Sequence, residues 1–191
     1  GAGGIAMIRE LIADAEERMT KSVGSLRHNL QGLRAGRANP GLLEKVRVDY
    51  YGTPTPVNQV ATISVPEPRL LVIQPWDKTV LGALEKAILK SDIGLTPSSD
   101  GTVIRLAIPQ LTEQRRQELV KTARRLGEEE RVAIRNIRRE IREMMEEAAK
   151  EGEVSEDEAR RGQEELQKLT DRMVEQVGQI LEAKEKEIME V

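Results

Sequence analysis

The sequence predicts an α+β protein in which a long antiparallel three-helix bundle carries a small α/β domain inserted between its first and second helices. Three observations carry this prediction. Apolar residues recur at three- and four-residue steps from Met7 to Leu33, and again from Leu119 almost to the end. The stretch between them is made of short β-branched segments and holds seven of the eight prolines, from Pro54 to Pro109. The only aromatic residues are Tyr50, Tyr51 and Trp76, with no Phe, which disfavours a wide close-packed core and favours slender helix packing.

The first helix is expected from Met7, with Ile8, Leu11, Ile12, Ala15, Met19, Val23, Leu26, Leu30 and Leu33 as one buried stripe. It should run out near Gly36 and stop at Asn39-Pro40-Gly41, because proline disfavours a helical residue before it. Gly1 to Ala6 read as a remnant of expression and are set aside from the fold. Four strands follow: Val46 to Tyr51, Gln59 to Val65, Leu70 to Pro75 and Val103 to Pro109. Between the last two, Lys78 to Lys90 has helical spacing through Val80, Leu81, Leu84, Ala87 and Ile88. Tyr50 and Tyr51, adjacent on a strand, should face opposite ways with at least one in the insert's core, and Trp76 belongs in that core too.

A long second helix is expected after Thr112 as its N-cap, through Leu119, Ala123, Ile134, Ile137, Ile141 and Met144, to about Lys150. Gly152 marks a turn, and the S-x-x-E box of Ser155 and Glu158 starts the third helix, whose stripe is Leu166, Leu169, Met173, Val177, Ile180, Leu181 and Ile188. The expected domains are therefore 7–36 with 111–191 for the bundle and 37–110 for the insert. Two joints, at Gly36, Pro40 and Gly41 and at Pro109 and Gln110, are candidate hinges that suit an L-shaped molecule, though a packed interface is equally compatible with them.

The chemistry points to binding rather than catalysis. There is no cysteine, which removes disulfides and thiol chemistry and fits a reducing, cytoplasmic setting. No apolar run approaches the roughly 20 residues of a membrane span. His28 is the only histidine and has Gly24 and Gly32 four residues to either side, so no metal site or triad forms around it. The glycines at 1, 3 and 4 follow no strand, and no phosphate-binding glycine motif occurs. Glu128 to Glu130 and Glu146-Glu147 are consecutive, as on a solvated helix surface. No cofactor or metal is expected.

Charge distribution supplies the functional lead. The net charge is only −3, yet between Arg131 and Arg142 five arginines stand against the single acid Glu140. At about 100° per residue, Arg124, Arg131, Arg135, Arg138 and Arg142 share a narrow arc, with Ile134, Ile137, Ile141 and Met145 as the core face roughly 100° away. A solvated face stitched by i,i+4 pairs is the ordinary explanation of such a run. Neither Arg135 nor Arg138, however, has an acid three or four residues away. A polyanion such as RNA would suit the row, and so would neutralisation across the bundle by Glu164, Glu165, Asp171 or Glu175. Arg34 and Arg37 either extend this surface or cap the first helix. The rival class is a helical scaffold that binds only proteins.

In the strings GLRAGRANP at 32–40, VDYYGTPTPVNQVA at 48–61, EKAILKSDIGLTP at 85–97, LTEQRRQELVK at 111–121, RVAIRNIRRE at 131–140 and VSEDEARR at 154–161, the chain resembles the bacterial ribosome recycling factor family. They follow in order from Met7 almost to the end. The resemblance implies a monomeric, L-shaped, two-domain cytoplasmic protein that hydrolyses nothing. It implies binding to the post-termination ribosome and, with elongation factor G and GTP, separation of the subunits. It also implies large-subunit ribosomal RNA as the partner of Arg135 and Arg138, less firmly of Arg131 and Arg139, with Arg142 on the same face and Arg34 and Arg37 matching a basic motif at the joint. The insert is then the domain turned toward elongation factor G.

Overall fold

A computed structural model describes residues 2–33 and 36–190. The order of elements is α1 (Ala2–Gln31), β1 (Arg47–Tyr50), β2 (Thr53–Pro56), β3 (Ala61–Glu67), β4 (Leu70–Pro75), α2 (Leu81–Lys90), β5 (Pro97–Ser99), β6 (Ile104–Ala107), α3 (Glu113–Lys150) and α4 (Glu156–Met189). The chain divides after Leu33 and before Glu113 into two compact units, one made of α1, α3 and α4 and the other of everything between.

In the helical unit each of the three helices packs on the other two. Ala15, Met19 and Leu26 of α1, Ile134, Ile141 and Met145 of α3, and Leu166, Leu169 and Val177 of α4 are removed from water almost completely. Each helix has a single apolar stripe, and a closed trio is the arrangement in which every stripe has two partners. Met145, phased onto the core face with Ile134, Ile137 and Ile141, is fully buried, whereas Met144, taken into the helical pattern as well, is 46 % exposed one residue earlier. Two close approaches rest on glycine. A Cβ at Gly162 of α4 would lie 2.9 Å from Ile8 Cγ2 and 3.2 Å from Met145 Sδ, and one at Gly127 of α3 would enter the Leu181 side chain.

The termini of α1 differ from the expectation at both ends. The helix begins at Ala2, and Gly4 is buried against Glu158 of α4, so residues set aside as a remnant are part of the packing. It ends at Gln31 rather than near Gly36. Gly32 leaves the helix, Leu33 N–H donates to Leu30 O at 3.0 Å, and Lys184 Nζ of α4 donates to Leu33 O at 3.1 Å, which satisfies a carbonyl the helix end would leave open. Asn39-Pro40-Gly41 therefore does not stop α1. Asn39 Oδ1 accepts from Gly41 N–H at 2.8 Å and caps a separate 3₁₀ turn, Pro40–Leu43, with proline in its first turn. Downstream, α3 stops at Gly152, whose φ of 73° lets Glu153 N–H reach back to Ala148 O at 2.9 Å. The Ser155–Glu158 capping box opens α4 with both reciprocal bonds in place.

The second unit has a two-stranded ribbon, β1–β2, and a four-stranded antiparallel sheet in the order β3-β4-β6-β5. Two of these strands, β2 and β5, were hidden from the sequence by their prolines, which strands tolerate at edges. Leu71 and Ile73 of β4 and Ile104 and Leu106 of β6 point inward and share one core with Val48 of β1 and Leu84 and Ile88 of α2. Neither tyrosine enters that core. Tyr51 is not in a strand: with φ of 49° beside Gly52 at 85°, it forms the two-residue turn that pairs Tyr50 with Thr53, and the double positive φ matches the twist of a hairpin. Trp76 follows β4, stands 66 % exposed and donates from Nε1 to Thr62 Oγ1 at 2.8 Å. Pro109 and Gln110 lie between β6 and α3 without regular structure, and Gly36 adopts a φ of 72°.

Candidate nucleic-acid interface

The basic face of α3 is set by helix phase. Ile134, Ile137, Ile141 and Met145 turn into the unit, leaving Arg131 and Arg138 half-buried at its flank and Arg135, Arg139 and Arg142 exposed. Their partners divide them. Arg142 Nε meets Glu146 Oε1 at 3.3 Å, one turn away, in an ordinary exposed helix pair. Arg131 approaches Glu128 Oε2 at 3.5 Å, and Arg135 reaches two turns back to Glu128 Oε1 at 3.8 Å. Arg135 is therefore not wholly without an acid on its own helix: one carboxylate is stretched between two guanidinium groups. Arg139 donates to Asn136 Oδ1. Arg138 has neither ion pair nor hydrogen bond among the described residues.

Glu140, the one acid within the row, faces the other way. Its Oε2 lies 2.5 Å from Nη1 of Arg18 on α1, and this bond is the main reason the Arg18 guanidinium holds its proton even more firmly than usual. The one acid inside the row is thus engaged by a neighbouring helix. Neutralisation from α4 is confined to one end, where Arg124 forms a two-pronged contact with Glu185, 2.6 Å at Nε and 3.4 Å at Nη2, which likewise raises the Arg124 pKa. Among the described residues, Glu164, Glu165, Asp171 and Glu175 make no ion pair with the row. Asp171 instead accepts from Gln167 Nε2 at 2.9 Å.

Arg135 and Arg138 also line a groove between α3 and α4, opposite Gln167, Thr170, Asp171, Val174 and Glu175. Of the α4 acids expected to face the row, Asp171 and Glu175 line this groove and Glu164 lies further along it, whereas sequence reading did not single out Gln163 and Gln167. Gln163 and Gln167 recur at i,i+4 beside the buried Leu166 and Leu169, so helix phase alone would have set them at its rim. Arg37 is exposed and belongs to the other unit, and Arg34 lies outside the described residues. No cluster of three or more His, Cys, Asp or Glu side chains suited to a metal ion occurs among the described residues, and His28 is exposed on α1. Among the same residues, no helix is long and apolar enough to cross a membrane.

Bundle and basic face together suit a binding protein, with a helix flank rather than a cleft as its candidate surface. The sequence family described as "Ribosome recycling factor" matches residues 26–189. Among curated relatives, the ribosome-recycling factors of Heliobacterium modesticaldum and Syntrophomonas wolfei are 63 % and 59 % identical over 185 residues, covering 97 % of this chain and all of each relative. A solution structure of a ribosome recycling factor superposes with a TM-score of 0.75 at 44 % identity, covering 96 % of this chain and 98 % of that one. The Thermus thermophilus ribosome recycling factor, described with Escherichia coli elongation factor G bound to the E. coli post-termination complex, gives a TM-score of 0.62 at 50 % identity, covering 96 % and 99 %. This chain belongs to the ribosome recycling factor family, whose members are translation factors and not enzymes.

Proposed function

We propose that the chain binds the post-termination ribosome through the α3 flank, with large-subunit ribosomal RNA as the anion. With elongation factor G and GTP it then promotes separation of the subunits in the cytoplasm, acting as a monomer and with no cofactor of its own. The observation that carries the RNA reading is Arg138, without a partner among the described residues, beside a row whose one internal acid, Glu140, is bound to Arg18. An arginine with no carboxylate to surrender gives its full charge to a phosphate, and each phosphate neutralised releases counterions from the RNA. Arg135 is the second contact, and Arg131, Arg139 and Arg142 flank it. Arg34 and Arg37 are assigned to the same partner on the family motif alone.

The helical domain, 7–36 with 111–191, is the anchor in this reading, and the insert, 37–110, is turned toward elongation factor G. The joints at Gly36, Pro40 and Gly41 and at Pro109 and Gln110 act as the hinge. Gly36 has a left-handed φ of 72°, which a side chain at that position would strain. The test is a ribosome-splitting assay with elongation factor G and GTP, comparing the parent with Arg138→Ala and Gly36→Ala. Arg138→Ala should bind large subunits more weakly and split ribosomes more slowly, and Gly36→Ala should bind normally but split poorly. A folded Arg138→Ala variant with unchanged affinity would sink the RNA assignment.

A further inference from the structure

The groove between α3 and α4 is not electrically uniform. Toward one end its walls carry Arg124 and Arg131 against Glu128, Glu182 and Glu185, two cations facing three anions. Toward the other end Arg138 and Arg142 of α3 face Arg160 of α4, and Glu164 is the only acid in the lining. Gln163 and Gln167 stand between them, about 6 Å apart along the helix axis. Gln163 is half-buried, and its amide has no hydrogen-bond partner among the described residues. A polyanion is repelled at the first end and drawn to the second.

Resting on the RNA reading above, we infer that Arg160 and Gln163 of α4 complete the ribosomal-RNA site. An RNA backbone then lies in the groove at its Arg138–Arg142–Arg160 end, held from both helices rather than from α3 alone. Arg160 is easily released for this role. It pairs with Asp157 one turn earlier, but Arg161 Nη2 also holds Asp157, at 3.1 Å, so the carboxylate keeps a partner when Arg160 turns to a phosphate. Exposed pairs at this spacing are weak, whereas an arginine–phosphate contact is charge-assisted and directional. Gln163 adds a neutral donor suited to phosphate or ribose oxygen. At the opposite end Arg124 stays clamped to Glu185 and takes no part.

The experiment measures binding of the full chain to large ribosomal subunits over a series of salt concentrations. Arg160→Ala should weaken affinity about tenfold at low salt and reduce the salt slope by about one unit, while Arg160→Lys keeps the slope. Gln163→Ala should weaken binding several-fold with the slope unchanged, and Arg124→Ala should bind as the parent does. Arg124 and Arg160 are exposed and Gln163 is half-buried, and melting curves matching the parent establish that the variants fold. If Arg138→Ala loses affinity while Arg160→Ala and Gln163→Ala do not, the two-helix site is refuted and the α3 reading stands. If Arg138→Ala also binds normally, both fall together.

Discussion

Gly127 fixes how closely α3 and α4 can approach, and replacing it with alanine tests whether that spacing is under steric control. A Cβ there would stand 2.9 Å from both Cγ and Cδ2 of Leu181, a side chain only 6 % exposed. Leu181 then has to leave its rotamer or the helices have to separate, at a cost of about 1–3 kcal/mol. Alanine meanwhile improves helix propensity by about 1 kcal/mol. The net expectation is a loss of about 1 kcal/mol. Gly24→Ala in α1 is the internal control, because nothing lies within 4 Å of a Cβ at that position, and it should gain about 0.5–1 kcal/mol. Subtracting one substitution from the other cancels propensity and isolates the steric part, about 2 kcal/mol. Urea unfolding followed by helical circular dichroism measures both. In a Leu181→Ala background the obstacle is gone, and Gly127→Ala should then stabilise as Gly24→Ala does. If Gly127→Ala matches Gly24→Ala in the parent background as well, the close approach does not control the spacing and the reasoning is refuted.

Two further outcomes can be checked on the same unit. Burial holds the Glu130 carboxyl of α3 above its ordinary value, against a hydrogen bond from Ser22 of α1. The folded chain therefore binds this proton more tightly than the unfolded chain, and stability falls as pH rises from the unfolded value through the folded one. Glu130→Gln should melt higher than the parent at about pH 7, with the gap closing below about pH 4; a gap that does not vary with pH would contradict this. Ser155→Ala removes the acceptor that Glu158 N–H uses at 3.0 Å and should cost about 1 kcal/mol, measured by denaturant unfolding.

Long-range periodicity made the three helices readable, because each stripe spans many turns and a wrong phase would bury charge. The Ser155 box and Gly152 were equally plain, since each acts within a few residues. What failed were positions decided by a single residue of phase or by a turn. Met144 and Met145 are chemically the same: phase put Met145 on the core face correctly, while counting three- and four-residue steps took in Met144 too. Tyr51 carries a strand-forming side chain in a left-handed turn, where the glycine after it and the pairing of β1 with β2 override propensity. On the candidate site, helix phase grouped the arginines, but counting acids at three and four residues overlooked Glu128, which Arg135 reaches at seven. The far wall of the groove belongs to α4: its acids Glu164, Asp171 and Glu175 were legible as charges opposite the row, but Gln163 and Gln167 carry no charge to mark them.

The bond between Arg18 and Glu140 joins residues distant in sequence, and it makes the charge seen by a partner on α3 depend on a side chain of α1 that need never touch that partner. Arg18 behaves as an internal counterion, and the pair should be inherited as a unit. A chain that loses Arg18 but keeps Glu140 returns an acid to the middle of its own arginine row, whereas one that loses both is left nearly as it was. Substitutions at position 18 would therefore pass for contact defects in a binding screen while acting entirely from behind the surface.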